Sequence, residues 1–198
     1  MKLDIAFYQK EDVTMVAQEL LGKVLCVKDG DILCAARIVE TEAYSFREQA
    51  CHAYNNRLTR RTETLFAEGG TAYVYLCYGI HRLFNVVTNR KGIAEAVLVR
   101  AVEPMKGIEM MKLRRNQGKV GELGSGPGKL SQALGIELHH NQHSLQGNEV
   151  WIEDDRYRIE PEQIIEGTRI GVDYAGEDAK LPWRYGIRDN PCLSRPFV

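Results

Sequence analysis

The fold of this chain is decided by residues 72–102, which open with the run Ala72-Tyr73-Val74-Tyr75-Leu76-Cys77-Tyr78. Aromatic and β-branched residues dominate that run, a composition typical of a β-strand. Residues 79–82 contain a glycine and predict a turn, and residues 83–88 predict the returning strand of a hairpin. A third run, residues 96–102, is almost wholly apolar, as expected of a buried central strand.

Tyr78 lies at the tip of the predicted hairpin. Side chains alternate between the faces of a strand, so Tyr73 and Tyr75 share one face, and Tyr78 falls where neither face is covered. An aromatic ring at that position suits a probe that reaches outward into something flat. The alternative is that the tyrosines belong to the core and Tyr78 is one exposed residue at the tip.

Composition is that of an ordinary soluble globular protein. The chain has 198 residues, of which 44% are hydrophobic and 27% charged, so we expect one domain with a substantial core. The net charge of −1 argues neither for nor against a nucleic-acid partner, because a local patch matters more than the sum. Five scattered cysteines, no signal peptide and no long apolar run predict a cytosolic protein without a membrane segment.

The first part of the chain predicts a helix followed by two strands. Apolar residues recur at helical spacing over residues 10–22, and Gly22 ends that pattern. Residues 23–27 and 31–44 predict strands, joined by a turn at Asp29-Gly30. Period two places Glu40, Glu42 and Tyr44 on one face of the second strand. The ordinary alternative for the two carboxylates is a solvated strand face.

Residues 45–71 form a long connection, which inside a compact domain is either functional or disordered. It contains Cys51-His52 and a basic cluster of Arg57, Arg60 and Arg61. No second ligand pair follows at zinc spacing, so we predict no metal here.

A glycine-rich segment, residues 124–129, leads into a short predicted helix over residues 130–134. Glycines at a helix start let backbone N–H groups approach an anion closely, and Lys129 adds positive charge. The segment is not a nucleotide-binding P-loop, because Leu130 stands where serine or threonine is required. We therefore favour the phosphate of a polymer backbone as the ligand. The alternative is a glycine-rich helix entry that binds nothing.

The rest of the C-terminal half predicts less chemistry. Glu103-Pro104 predicts the start of a helix that runs to Arg115. The histidine run, residues 139–143, predicts a solvated loop, because no carboxylate or cysteine lies at ligand spacing. Residues 150–152 predict an edge strand and residues 168–172 another strand, and the aromatic tail from residue 181 should pack down.

Together these segments resemble the alkyladenine (3-methyladenine) DNA glycosylase family of the mammalian type, in a bacterial-sized form. The matching segments occur in family order over nearly the whole chain; they are residues 37–44, 51–52, 73–79, 85, 97–104, 125–130 and 169–172. The resemblance implies one α/β (α+β) domain over residues 1–198. That domain would have a curved antiparallel sheet flanked by helices, a protruding β-hairpin and no helix-hairpin-helix.

The implied activity is that of a monofunctional DNA glycosylase. It would flip alkylated or deaminated purines (3-methyladenine, 7-methylguanine, hypoxanthine, ethenoadenine) out of duplex DNA and hydrolyse the N-glycosidic bond. No lysine occupies the matched pocket positions, where a Schiff-base nucleophile would be needed, so the product is an abasic site without strand cleavage. The resemblance implies no metal or organic cofactor, damaged double-stranded DNA as partner, a monomer, and the bacterial cytosol.

The resemblance also assigns roles by position. Glu42 matches the catalytic carboxylate that activates water, and Arg100 matches an arginine beside the target phosphate and that water. Tyr44, His52 and Tyr75 match the pocket that sandwiches the flipped base.

Three further positions concern discrimination and DNA contact. Asn85 matches the residue that crowds the exocyclic amine of guanine, and Tyr78 matches the residue that fills the vacated stack. Backbone phosphate would be gripped by the glycine-rich segment and the basic cluster, a set comprising Ser125, Gly126, Gly128, Lys129, Arg57, Arg60 and Arg61.

Two other function classes stay open at this level. A nucleoside hydrolase would also use a carboxylate against C1′, although it needs neither a wedge tyrosine nor a phosphate-binding segment. A non-catalytic damage sensor would flip and hold the base, although it needs no Glu42.

Overall fold

The computed structural model describes residues 1–197 and shows a mixed α/β fold built on one open, eight-stranded antiparallel sheet. Its strands are β1 (Val24–Asp29), β2 (Ile32–Ser45), β3 (Ala72–Cys77), β4 (His81–Val87), β5 (Glu95–Lys106), β6 (Val150–Glu153), β7 (Ile164–Gly167) and β8 (Arg184–Ile187). Its α-helices are α1 (Ile5–Tyr8), α2 (Val13–Glu19), α3 (Ile108–Arg115), α4 (Val120–Leu123) and α5 (Pro127–Leu134). The predicted fold class is confirmed.

Strand β2 is the branch point of the sheet. The main strand order is β3-β4-β5-β2-β1-β6, and β8 pairs with both β2 and β7. Along one edge, β2 pairs with β1 from Ile32 to Arg37 and then with β8 from Glu40 to Glu42. The register of β2 against β5 shifts on both sides of Glu40. A β-bulge of this kind bends a strand and re-aims its side chains, so the sheet divides at Glu40.

One face of the sheet packs against the hydrophobic core, and the other lines a cavity. On β5, Val97, Val99 and Ala101 face the main hydrophobic core, which is shared with α2 and α5. The alternate residues Leu98 and Arg100 face the other side, where they line a cavity. The long connection after β2 covers part of that second face, with single turns of 3-10 helix at Tyr54–Asn56 and Glu63–Phe66.

Most predicted strands are confirmed to within a few residues. The hairpin of β3 and β4, the β1–β2 pair, the central strand β5 and the edge strand β6 all lie where the sequence predicts them. His81 and Arg82 were expected in the hairpin turn, but they pair with Cys77 and Leu76 as the first residues of β4.

The predicted helix start at Glu103-Pro104 is wrong. Strand β5 continues through Pro104 to Lys106, and Pro104 pairs with Ala36 at a register shift. A proline is tolerated at such a bulge, where the ladder of hydrogen bonds is already interrupted. The helix begins instead after Gly107, whose φ of 77° turns the chain out of the sheet. Its predicted end at Arg115 is confirmed.

Other boundaries also differ from prediction. Helix α2 begins at Val13 and not at residue 10, because Asp12 caps it by accepting hydrogen bonds from the backbone N–H groups of Thr14 and Met15. Helix α5 begins at Pro127, three residues earlier than predicted. Residues 168–172 form no strand, since β7 ends at Gly167. The tail contains a strand, β8, that was not predicted.

None of the helices in residues 1–197 is long and apolar enough to span a bilayer. All five cysteines fall within this range, and each is a free thiol.

Candidate active site

A cavity of about 820 Å³ opens on the second face of the sheet. One row of paired residues crosses the strands beneath it: Tyr73 pairs with Asn85, Asn85 with Leu98, and Leu98 with Glu42. Neighbouring strands lie about 4.8 Å apart, so each step along this row brings the next side chain within contact range. Glu42 and Asn85, which come from distant parts of the sequence, therefore lie in one row on the same face of the sheet.

Glu42 is fully buried directly behind the cavity wall, because Tyr44, Arg100 and Ile170, which hold its carboxylate, line the cavity while Glu42 itself does not. The Tyr44 hydroxyl donates to Oε2 at 2.8 Å, and the backbone N–H of Ile170 donates to Oε1 at 2.7 Å. Nη1 of Arg100 lies 3.3 Å from Oε1. Glu40 is fully buried as well, so a solvated strand face is excluded for both carboxylates.

Arg100 bridges the two carboxylates. Its Nε donates to Glu40 Oε1 at 2.9 Å while Nη1 faces Glu42, so both glutamates lie on one face of β2 as predicted. Thr41 faces the other way, and its hydroxyl donates to the Ala17 carbonyl of α2 at 2.8 Å. Burial acts to lower the pKa of Arg100, but Glu42 and Glu40 outweigh it and raise that pKa above its ordinary value. Arg100 is therefore a permanent cation.

Tyr44 connects Glu42 to the cavity wall. Burial, together with the nearby Glu42 carboxylate, raises the pKa of Tyr44 well above its ordinary value. The Tyr44 hydroxyl therefore stays protonated and can donate its hydrogen bond to Glu42. The Arg169 guanidinium lies 4.8 Å from the Tyr44 ring centroid. Arg169 is itself buried, and it donates to Glu48 at 2.9 Å and to the Ala43 carbonyl at 3.0 Å. The ring of Tyr44 is thus backed by a fixed cation.

His52 and Tyr75 form an aromatic wall of the cavity. Their ring centroids are 4.7 Å apart at an interplanar angle of 75°, and Tyr73 stacks on Tyr75 at 5.2 Å. The Tyr73 hydroxyl lies 3.0 Å from His52 Nδ1, and Arg61 Nη2 lies 3.5 Å from His52 Nε2. Burial, reinforced by the charge of Arg61, lowers the pKa of His52 to about 4. The His52 imidazole is therefore uncharged at pH 7, so it forms an uncharged part of the cavity wall.

Asn85 is buried beside this wall and lines the cavity. Its Nδ2 donates to the Tyr73 carbonyl at 3.1 Å, which fixes the orientation of the carboxamide.

The hairpin of β3 and β4 ends in an apolar tip. Tyr78 is 89% exposed, and Leu76 and Ile80 beside it are exposed as well. The backbone of Tyr78 is left-handed, with φ of 50°, a conformation that costs a residue with a Cβ roughly 1–2 kcal/mol. That strained turn directs a large ring into solvent at the edge of the cavity.

The glycine-rich segment lies at the cavity rim. Ser125, Gly126, Gly128 and Lys129 all line it, and Lys129 Nζ lies 3.3 Å from the Ser125 hydroxyl. No side chain caps the N-terminus of α5, so its first backbone N–H groups keep their capacity to bind an anion. The ring of His81 packs against Gly128 so closely that a Cβ at Gly128 would lie 2.9 Å from it.

The predicted basic cluster is divided. Arg61 lines the cavity and lies 5.5 Å over the Tyr75 ring. Arg57 and Arg60 are exposed on the connection outside the cavity lining, so they have no part in the pocket itself.

Comparison with known families identifies the family of the chain. The family profile described as methylpurine-DNA glycosylase matches residues 6–191. The chain belongs to the methylpurine-DNA glycosylase family. The predicted family and enzyme class are therefore confirmed, and this protein is a DNA glycosylase, a hydrolase of DNA repair.

Individual relatives of this glycosylase agree with the family match. A protein of Alkaliphilus oremlandii is 43% identical over 98% of this chain and 100% of its own length. One of Carboxydothermus hydrogenoformans is 44% identical over 98% and 100% of the two chains, and one of Chlamydia abortus is 44% identical over 91% and 95%. Their names describe them, provisionally, as 3-methyladenine DNA glycosylases.

The glycosylase site contains residues that the sequence reasoning missed. Tyr73 shares a strand face with Tyr75, so the period-two pattern alone could have indicated it. Glu40 was placed on the same face as Glu42 by that pattern, but it was not assigned a role in the site. Nothing in the sequence pattern indicates Ser194, which lines the cavity from the C-terminal segment, or the support that Arg169 provides to Tyr44.

The histidine run, residues 139–143, lies outside the cavity lining. No carboxylate lies at ligand spacing in the sequence, but one comes close to the run in the fold. The fold brings Glu149 to His139 and His140, with the potential ligand atoms within 4.8 Å of one another. However, His140 Nδ1 accepts the backbone N–H of Glu137 at 3.0 Å, which leaves the ring proton on Nε2. His139 and Glu149 are exposed. The absence of a metal ligand set here stays a prediction.

Proposed function

We propose that this glycosylase removes alkylated or deaminated purines from duplex DNA, with Glu42 activating the water that cleaves the N-glycosidic bond. The substrate class comprises 3-methyladenine, 7-methylguanine, hypoxanthine and ethenoadenine. One observation carries the proposal: a buried carboxylate directly behind the wall of an aromatic cavity, held by the lining residues Tyr44, Ile170 and Arg100. The names of the relatives, which describe 3-methyladenine DNA glycosylases, support the substrate class.

The chemistry follows from charge. Glu42 accepts a proton from water as the water attacks C1′ of the flipped nucleotide. Positive charge develops on the sugar in the oxocarbenium-like transition state, and the Glu42 carboxylate behind the cavity wall stabilises it. Arg100, a permanent cation beside Glu42, would orient the water and contact the target phosphate. Tyr44 holds the carboxylate oxygen that is not bound to Ile170.

The aromatic walls suit an electron-poor base. A cationic alkylated purine is attracted to the faces of Tyr44 and Tyr75. His52, neutral at physiological pH, adds stacking surface without repelling that positive charge. Asn85, whose carboxamide is fixed on the Tyr73 carbonyl, would crowd the exocyclic amine of guanine and so disfavour the normal base.

DNA would be held around the cavity mouth. Tyr78 fills the gap that the flipped base leaves in the stack, and the N-terminus of α5 with Lys129 binds backbone phosphate. Arg57, Arg60 and Arg61 would contribute further positive charge. Lys129 is the one lysine among the described cavity-lining residues, and it lies at the rim beside Ser125. We therefore propose hydrolysis without strand cleavage, because no lysine is positioned at the floor to form a Schiff base.

We further propose that the enzyme works as a monomer in the bacterial cytosol, on damaged double-stranded DNA and without a metal or organic cofactor. Five free thiols suit a reducing compartment.

The decisive variant is Glu42→Gln. Single-turnover release of 3-methyladenine or hypoxanthine from a duplex should fall by roughly 10²–10⁴, because an amide cannot accept the proton of water. Binding to the lesion duplex should change little. Wild-type product strands should break only after alkali treatment, as expected for an intact abasic site.

Glu95→Gln is the matched control. Glu95 is also a buried carboxylate on the sheet, but it pairs with Arg47 and Ser45 outside the main cavity, so its loss should leave base release unchanged. Wild-type release by Glu42→Gln would refute the mechanism. Equal activity on a free alkylated nucleoside and on the duplex would favour a nucleoside hydrolase.

A further inference from the structure

Glu40 is a fully buried carboxylate that receives four hydrogen bonds. Its Oε1 accepts from Arg100 Nε at 2.9 Å, Arg184 Nε at 2.8 Å and the Ser194 hydroxyl at 2.7 Å. Its Oε2 accepts from the Ser194 backbone N–H at 2.6 Å. Removing a carboxylate from water is costly unless its oxygens are paired in this way. Glu40 makes no direct contact with Glu42, so its relevance to the reaction must come through Arg100.

Arg100 transmits the position of Glu40 to the catalytic carboxylate. The guanidinium is a rigid planar fork, so a bond at Nε sets where its two terminal nitrogens lie. With Nε on Glu40, Nη1 faces Glu42 at 3.3 Å and Nη2 donates to the Ser194 hydroxyl at 3.2 Å. Ser194 therefore contacts both members of the Glu40–Arg100 pair.

The C-terminal segment (residues 193–197) is fastened over this pair by Arg184 of β8. Arg184 donates to the carbonyls of Arg195 at 2.6 Å and Pro196 at 3.3 Å, and it stacks on the Phe197 ring at 3.9 Å. Gly186 makes room for that ring, since a Cβ there would lie 2.7 Å from it. Ser194 and Arg195 line the cavity as a result. The last residues of the described chain thus form part of the active-site wall.

We infer that Glu40 and Ser194 are positioning residues that hold Arg100 against Glu42, and that the C-terminal segment completes the active site. The inference rests on the proposed function, because it takes Glu42 and Arg100 as the catalytic pair. It gives Glu40, which the sequence only placed on the same strand face as Glu42, a part in the reaction. If glutamine replaces Glu40 or Ser194 lacks its hydroxyl, the guanidinium loses its fixed orientation, and the attacking water is no longer aligned by Arg100 beside Glu42.

The test is a double-mutant cycle on the single-turnover rate. Glu40→Gln, Ser194→Ala and Arg100→Met are measured singly, and each of the first two is combined with Arg100→Met. Misplacing a catalytic group by about 1 Å costs on the order of 10²-fold in rate, and we expect a loss of that order for Glu40→Gln and about tenfold for Ser194→Ala. In the Arg100→Met background neither substitution should lower the rate further, because the group that they position is gone.

Binding and folding are measured in parallel. The Kd for a duplex with a stable abasic-site analogue should stay within about twofold of wild type for Ser194→Ala, since a positioning residue affects the rate and not the binding. Ser144→Ala, an exposed serine outside the cavity lining, is the matched control and should behave as wild type. If Glu40→Gln does not fold, Ser194→Ala alone decides, because Ser194 is only half-buried.

Two results overturn the inference, and they differ from failure of the proposed function. Folded Ser194→Ala with the wild-type rate, or losses that multiply with that of Arg100→Met, would show that Glu40 and Ser194 do not act through Arg100. Full activity of Glu42→Gln would instead refute the proposed function. An inactive Glu42→Gln beside a fully active Ser194→Ala refutes the inference alone.

Discussion

His52 combines a pocket wall with a pH-sensitive contribution to stability. Its pKa of about 4 in the folded protein lies below the ordinary value of 6.5, because burial and the nearby Arg61 disfavour the imidazolium. The unfolded chain therefore binds more protons than the folded one between these two pH values. The free energy of unfolding should then fall as the pH drops from 6.5 toward 4, by at most about 1.4 kcal/mol for each unit of pKa difference.

Replacing His52 by glutamine tests this. The variant removes the titrating group, so its free energy of unfolding should depend less steeply on pH across that window. Urea titrations at several pH values measure the difference between the two proteins. Burial and the neighbouring His139 also lower the pKa of His140, so His52→Gln should reduce the slope without abolishing it. An unchanged slope in His52→Gln would show that His52 is not the group responsible.

At the scale of one element, the hairpin separates base flipping from chemistry. Removing a base from the stack costs a few kcal/mol, and least where pairing is already poor. If Tyr78 offsets part of that cost by stacking, at about 1–3 kcal/mol, Tyr78→Ser should slow excision most for well-paired lesions. Single-turnover excision of one lesion in paired and mispaired duplexes measures this.

Two companion variants make the hairpin experiment specific. Tyr75→Leu removes a pocket wall, so it should harm excision from both duplexes. Tyr157→Ser alters another exposed tyrosine, which packs on Arg37 far along the chain from the hairpin, and should have no effect. Equal slowing of both duplexes by Tyr78→Ser would assign Tyr78 to the pocket or to the fold instead of the stack.

The elements also show what could be predicted from sequence. Strand β3 is rich in aromatic and β-branched residues, β4 contains Phe84 and two valines, and β5 includes a long apolar run, so local composition was sufficient to find all three. Pro104 misled the prediction because a proline at a bulge and a proline at a helix start have the same local sequence. Residues 168–172 have the composition of a strand but form none. Arg169 is instead buried in contact with Tyr44 and Glu48, and local sequence does not show these contacts because both partners are distant in sequence.

Some residues of the candidate active site could also be predicted from sequence, and others could not. Glu42 and Tyr44 follow from the period of one strand together with the family resemblance. Glu40 and Ser194 are separated by 154 positions, so no local pattern could predict their contact. The sequence also could not show that Arg61 turns toward the cavity while Arg57 and Arg60 remain outside it, because loop geometry decides that.

At the scale of the whole molecule, DNA affinity must come from a local surface, since the net charge is −1. Affinity for duplex DNA should fall with salt, at a slope of roughly −0.9 for each phosphate contact. Lys129→Ala should reduce that slope by about one unit without altering which lesion is preferred. Lys180→Ala is the control, because Lys180 pairs with Glu177 away from the cavity lining and should leave the slope unchanged. A flat salt response in the wild type would refute the charged surface.

The contact between His81 and Gly128 has a mechanical consequence. The imidazole next to the hairpin turn occupies the space that any side chain at Gly128 would need, so the tip of the hairpin can approach the start of α5 because residue 128 is glycine. This contact brings Tyr78 and the N-terminus of α5 to the same rim of the cavity. Under the proposed function, we therefore expect Gly128→Ala to push the two apart and to weaken binding to a lesion duplex, which a measurement of Kd would test.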